Sequence, residues 1–242
     1  MDKTKQLLDL VLNAHGGLDR WNKLTEGKAL LSVGGLTWAY KGQEGVLSQV
    51  EYQALLHKQY GSYTPFVSED QKSIFEPGRV AIEKLDGTLV EELLKPRESF
   101  LGHTRETKWN KLQLVYFASY AMWSYLTLPF NFTMAGFEVV EIEPWTEGEE
   151  IWRRLEVHFP DYIEAHSKKQ VFYYGPDGLL RRHDYWAEVL GGLPAAHYVS
   201  DYREFSGIMV PTKRRVYSLN EDNSYKPEPV FVAIDVLDIA FS

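Results

Sequence analysis

The chain contains no cysteine, so disulfide staples, zinc–thiolate sites and cysteine nucleophiles are excluded. Positive charge is scarce too: 26 Lys and Arg stand against 34 Asp and Glu, a formal net charge of -8. A surface of that sign repels nucleic acid unless a basic patch is segregated on it, and no nucleic-acid partner is expected. The one basic run is Lys213-Arg214-Arg215. Strand alternation divides it between two faces, and it reads as solvated strand. The P-loop, the G-x-S-x-G elbow, H-E-x-x-H and the dinucleotide glycine fingerprint are all missing, so no cofactor is expected. His158 and His166, with Glu156 and Glu164 beside them, are eight residues apart across a turn and do not make a convincing ligand set, so no metal is expected.

What the chain has in excess is aromatic side chains: seven Trp, fifteen Tyr and twelve Phe in 242 residues. Eight of these rings fall in one uncharged stretch of 26 residues, "LQLVYFASYAMWSYLTLPFNFTMAGF", Leu112 to Phe137. A membrane span needs about 20 predominantly apolar residues. Here Gln113, Ser119, Ser124, Thr127, Asn131 and Thr133 interrupt the run and Pro129 breaks it, so no stable membrane insertion is expected. Burying one large side chain is worth roughly 1.5–3 kcal/mol. Eight exposed rings would therefore forgo as much as the whole net stability of a domain, about 5–15 kcal/mol. The stretch must be buried. Tyr116, Tyr120 and Trp123 form one helical stripe, and Phe117 and Tyr125 belong to a second, so the helix is apolar all round and covered on more than one side. It is read as plain core or as the lid of an apolar pocket, with the tyrosine hydroxyls suited to orienting a guest.

The rest of the chain is strand-like. "MDKTKQLLDLVLNAHGG" reads as an amphipathic helix with Asp2 as N-cap and Leu7, Leu8, Val11 and Leu12 buried, not as a signal peptide, because Asp9 interrupts the apolar run. The expected location is cytoplasmic. His15 is placed at the helix C-terminus, where a protonated ring would favour the dipole. "GLDRWNKL" is a short helical turn burying Trp21 and Leu24. Residues 27–97 then alternate as short β segments between turn signals, with a type I′ hairpin expected at Asp86-Gly87. Residues 105–128 read as helix, and β patterning resumes at Phe137 and lasts to the end. The expectation is an α+β fold: about 10–11 antiparallel strands in a strongly curled sheet or incomplete barrel, an N-terminal helix, and a helical lid inserted mid-chain. With no linker or repeat, residues 1–242 read as a single domain.

"LLDLVLNAHGGLDRW", "YFASYAMWSYLTLPF", "FYYGPDGLLRRHDYWAEVLGG" and "DYREFSGIMVPTKRRVY" together resemble a family of uncharacterised bacterial proteins. More distantly, the order of elements is similar to the LolA/LolB-like lipoprotein carriers, whose fold is an incomplete antiparallel barrel closed by a helical lid. The resemblance implies a cavity that holds acyl chains or another hydrophobic guest, such as a fatty acid, lipid or isoprenoid-like compound. The N-terminal reading sets lipoprotein transfer itself aside.

The local chemistry lies in two strands. In "LLRRHDYW", alternation places Leu179, Arg181, His183 and Tyr185 on one face and Leu180, Arg182, Asp184 and Trp186 on the other. "HYVSDYRE" puts His197, Asp201 and Arg203 opposite Tyr198, Tyr202 and Glu204. Such strands make either a structural ion-pair ladder or a polar floor under an apolar pocket. The expected guest-binding residues are Tyr116, Phe117, Tyr120, Trp123, Tyr125, Phe130, Arg181, His183, His197 and Tyr198, and the partner is a hydrophobic small molecule. If the pocket instead turns over an apolar substrate, as a cyclase or isomerase does, the acid–base candidates are His183, Asp184 and Tyr185. A protein-interaction module whose lid helix moves is a third reading. No oligomeric state is legible.

Overall fold

The computed structural model describes residues 2–242. Short strands separated by glycine-rich turns give β1 (Glu26–Gly34), β2 (Val50–Leu55), β3 (Gly61–Thr64), β4 (Gln71–Glu76), β5 (Arg79–Lys84) and β6 (Leu89–Leu94). The second half supplies β7 (Glu138–Glu147), β8 (Glu150–His158), β9 (Lys169–Tyr174), β10 (Leu180–Ala187), β11 (Leu193–Phe205), β12 (Ile208–Leu219), β13 (Tyr225–Lys226) and β14 (Val232–Phe241). All fourteen belong to one sheet, in the order β6-β5-β4-β3-β2-β1-β14-β12-β11-β10-β9-β8-β7, with β13 on β12. The count exceeds the ten or eleven expected because pieces as short as β3 and β13 carry no readable periodicity. Pairing is antiparallel throughout, and β6 and β7 stand at opposite ends of the order.

Among the described residues four α-helices accompany the sheet: α1 (Lys3–Ala14), α2 (Leu18–Trp21), α3 (Leu36–Lys41) and α4 (Lys111–Thr127). α1 is capped as expected, the Asp2 carboxylate accepting from the Thr4 amide at 3.0 Å, with Leu7, Val11 and Leu12 buried. α3 replaces what reads as a glycine turn. Gly35 enters it at φ 110°, and a β-carbon there would lie 2.5 Å from the Phe231 carbonyl oxygen, so only glycine fits. No described helix is long and apolar enough to cross a membrane.

α4 begins six residues later than the pattern suggests. Asn110 and Gln113 form a reciprocal capping box, and residues 104–107 form a turn held from outside the helix. The Asp86-Gly87 turn also differs: only Gly87 has positive φ, so it is not the mirror-image type I′ turn, and the Asp86 carboxylate accepts from the Thr88 amide. Every α4 residue after Lys111 is buried. The helix packs on β2, β3, β4 and β5. Its C-terminal half also reaches strands of the second half of the sheet, where the Tyr125 ring lies 4.6 Å from His197 and the Arg214 guanidinium donates to the Tyr125 carbonyl. Most of the core is one apolar cluster around α4. A smaller cluster of Trp152, Val171 and Tyr173 covers the other face of β8–β9.

Candidate functional site

The polar side chains of β10, β11 and β12 sort onto two faces with different chemistry. On the face turned from α4, Arg182 is wholly buried and grips Asp184 through Nε and Nη2, at 2.6 and 2.7 Å. The Tyr173 hydroxyl donates to Asp184 at 2.7 Å, and Arg182 also donates to the Tyr198 hydroxyl and the Asn223 carbonyl. Tyr198 in turn donates to Glu147 at 2.8 Å. Rings of Tyr173, Tyr198 and Trp145 surround the guanidinium at 4.8–5.7 Å. Burial raises the Asp184 carboxyl, opposed by its bonds to Arg182 and Tyr173. This is a closed ion pair with its hydrogen-bonding capacity used.

The face toward α4 carries histidines and tyrosines without carboxylates. His166, His183 and His197 are all buried. His166 stacks on Tyr185 at 3.8 Å and meets the hydroxyls of Tyr125 (2.8 Å, Nε2) and Tyr120 (3.3 Å, Nδ1). His183 stacks on Phe172 and its Nε2 donates to the Gln170 amide oxygen at 2.5 Å. His197 has no hydrogen-bond partner on either nitrogen, and His183 Nδ1 has none. Burial pulls His166 down to about 3 and holds His183 and His197 well below the ordinary histidine range, so all three rings are neutral at pH 7. A neutral imidazole offers one donor and one acceptor, so of the two hydroxyls at His166 one donates and one accepts.

Three small cavities lie beside this face. The outermost, about 60 Å³, is lined by Thr37, Lys41, Arg105, Phe117, Tyr185 and Phe231 among others. The middle one, about 20 Å³, includes Trp38, Tyr63, Met122 and His166, and shares Phe117, Tyr185 and Val232 with the first. The smallest, about 10 Å³, is lined by His15, Leu180, Tyr202 and Arg214, and shares only Tyr125 with the middle one. The three form a row partitioned by side chains, chiefly the rings of Phe117, Tyr185 and Tyr125. At the outer end, Lys41 donates to the carbonyls of Thr104, Arg105 and Thr107, which pins the turn that carries Arg105. Burial lowers that ammonium to about 8. A larger open groove, about 520 Å³, lies between residues 45–50 and 65–69, and none of the expected guest-binding residues line it.

Of those expected residues, Phe117 and Tyr125 line the row, while Tyr120, His183 and His197 stand against its rings. Tyr116 turns away, donating to Glu164 and accepting from Arg97. Trp123 donates to the Leu55 and Lys58 carbonyls, and Phe130 stacks on Trp21 at 4.3 Å. Arg181 binds Asp177 in the hairpin turn, because a bulge between Leu180 and Arg182 shifts the alternation and sends Leu180 inward instead. Tyr198 and Asp184 lie on the far face, so the trio His183, Asp184 and Tyr185 is split by the sheet. His158 pairs with Glu156 at the surface, away from His166. His15 bonds the Val11 carbonyl and is lowered to about 4 by burial, so it is a neutral cap, not a protonated one.

Lys41, Arg105, Tyr202 and Arg214 line cavities of the row and Gln170 bonds His183, placements that were not legible in the sequence. Arg214 corrects the solvated-strand reading: it is 2% exposed, while Lys213 and Arg215 point outward to Asp201 and Asp235. The signal was present, since Val210, Arg214 and Val216 share one parity and the valines mark the inner face. Tyr202 joins that face because Asp201, at φ 55°, interrupts the alternation.

The architecture matches solved structures over almost its whole length. A LolA superfamily protein from Nitrosomonas europaea superposes with TM-score 0.55 over 99% of this chain and 93% of its own, at 8% identity. The fold is LolA-like. A domain from Vibrio parahaemolyticus, assigned provisionally to outer-membrane lipoprotein sorting, gives TM-score 0.54 over 99% and 92%, at 9% identity. No protein-family model and no curated protein sequence matches the chain.

Proposed function

We propose that this chain is a single domain that binds and carries a hydrophobic small molecule between α4 and the sheet, which wraps the helix as an incomplete barrel. Support for the curl is geometric. From β5 to β10 the strand order runs eight steps, roughly 40 Å if flat at about 4.8 Å per step. α4 meets strands at both ends of that interval, yet a helix is only about 10–12 Å across.

The observation that carries the binding reading is the row of three cavities interrupted by Phe117, Tyr185 and Tyr125. As they stand, the cavities hold only a few water-sized groups. A guest of acyl-chain length enters as those rings rotate and the cavities join. The LolA-like fold, and the lipoprotein-sorting description of the Vibrio domain, favour a fatty acid, lipid or isoprenoid-like guest. Neither alternative gains a comparable observation, since Asp184 is tied to Arg182 across the sheet from His183 and Tyr185.

Native mass spectrometry of the chain purified without detergent tests the reading. The expected result is an added mass that organic solvent extracts, together with uptake of N-phenylnaphthylamine once the guest is removed. A protein that is reproducibly empty and leaves the dye dark in water would overturn it.

A further inference from the structure

The smallest cavity is lined by a charge that the protein does not neutralise. Arg214 is 2% exposed, its Nη2 donates to the Tyr125 carbonyl at 3.1 Å, and its guanidinium lies 4.8 Å from the Tyr125 ring. Nη1 has no partner, and no carboxylate of the described residues lies within ion-pairing distance. The wholly buried arginine on the other face, Arg182, has Asp184 in a two-point grip. Taking a guanidinium out of water costs several kcal/mol unless an anion or a full set of acceptors compensates. One carbonyl and one ring face are incomplete compensation. The rest of the cavity wall is apolar or neutral: Leu126, Leu180, Ile208 and Val210, with Tyr202 donating to the Leu180 carbonyl and His15 uncharged. A doubly charged phosphate would find too few donors there. A single negative charge on a hydrocarbon body matches one cation set in apolar walls.

We propose that the guest is an amphiphilic carboxylic acid whose carboxylate is received by Arg214 Nη1, with its chain running past Tyr125 into the middle cavity. This rests on the carrier reading above and narrows it to a free acid, as distinct from an ester or an alcohol. Tyr125 is the gate, because it alone lines both cavities and also holds His166. Arg105 at the outer end, stacked over Phe231, is the competing cation, and the two assignments put the head group at opposite ends of the row.

The test is titration of the delipidated full chain with dodecanoate, methyl dodecanoate and acetate, for wild type, Arg214→Met, Arg214→Lys and Arg105→Met. Wild type is expected to bind dodecanoate at least tenfold tighter than the ester and to bind acetate far more weakly. Arg214→Met should bind acid and ester alike while keeping the ester affinity, which also shows that it is folded. Arg214→Lys should retain part of the preference, and Arg105→Met all of it. If Arg214→Met does not fold, the wild-type acid-to-ester ratio and the Arg105→Met arm decide. The proposal fails if wild type binds acid and ester equally, with the carrier reading intact. It fails too if the preference survives in Arg214→Met, if it is lost in Arg105→Met, or if acetate binds as tightly as dodecanoate. Failure of both long-chain probes to bind wild type would overturn the carrier reading along with it.

Discussion

His15, His166, His183 and His197 are neutral, buried groups that the unfolded chain exposes to protons. The unfolded histidines bind protons below about pH 6.5, whereas the folded ones do so only near their lowered values. Stability is therefore fully present above pH 6.5 and is lost as pH falls toward about 4 for His15 and about 3 for His166. At about 1.36 kcal/mol per pH unit, His15 alone accounts for a loss of roughly 3 kcal/mol. Urea unfolding between pH 7.5 and 4 should show the midpoint falling steeply below 6.5, and a flat profile would contradict the neutral-histidine interior. A second prediction concerns the opposite face: Asp184→Asn breaks the two-point grip on buried Arg182, leaving it only Glu147 at 3.9 Å, and should cost about 3–5 kcal/mol, far more than Arg182→Met combined with Asp184→Leu, measured in the same denaturant series.

Among the elements, α3 matters most for its size, because its last residue holds the outer wall of the row. Lys41→Met removes three donors from the 104–107 turn and should cost about 1–3 kcal/mol. Hydrogen exchange should quicken at residues 104–107 and stay slow through the middle of α4, and equal quickening in both would show that Lys41 does not act locally. The same elements mark what was legible in the sequence. The burial of residues 112–132 followed from their aromatic content, although the end of that stretch, Thr133, Ala135 and Gly136, is exposed, and the hairpin after Tyr174 followed from its glycines. α3 was not legible, since six residues are too few to display a helical period. In β12, alternation puts Arg214 on the same face as Val210 and Val216, but its place in a run of three basic residues outweighed that parity, so Arg214 was read as solvated. His166 lies in no strand or helix. Its segment is set by Gln59, whose side chain both donates to the Glu164 carbonyl and accepts from the Glu164 amide, a long-range contact without local signature.

At the scale of the molecule, the strand order describes two meanders, β1 to β6 and β7 to β14, joined where β1 pairs with β14. The chain passes from one outer strand to the other through α4. On the carrier reading proposed above, this arrangement bears on how a guest gets in. The helix inserted between the halves is held along its length by both, by β2 to β5 on one side and by β10 to β12 at Tyr125, and the chain continues from each of its ends, so it has no free end on which to swing like a door. Entry then falls to what is not pinned: the rings along the row, the turn under Lys41, and any flexing of the two meanders about their common β1–β14 seam. A molecule built this way yields at its hinges and holds its crossbar still.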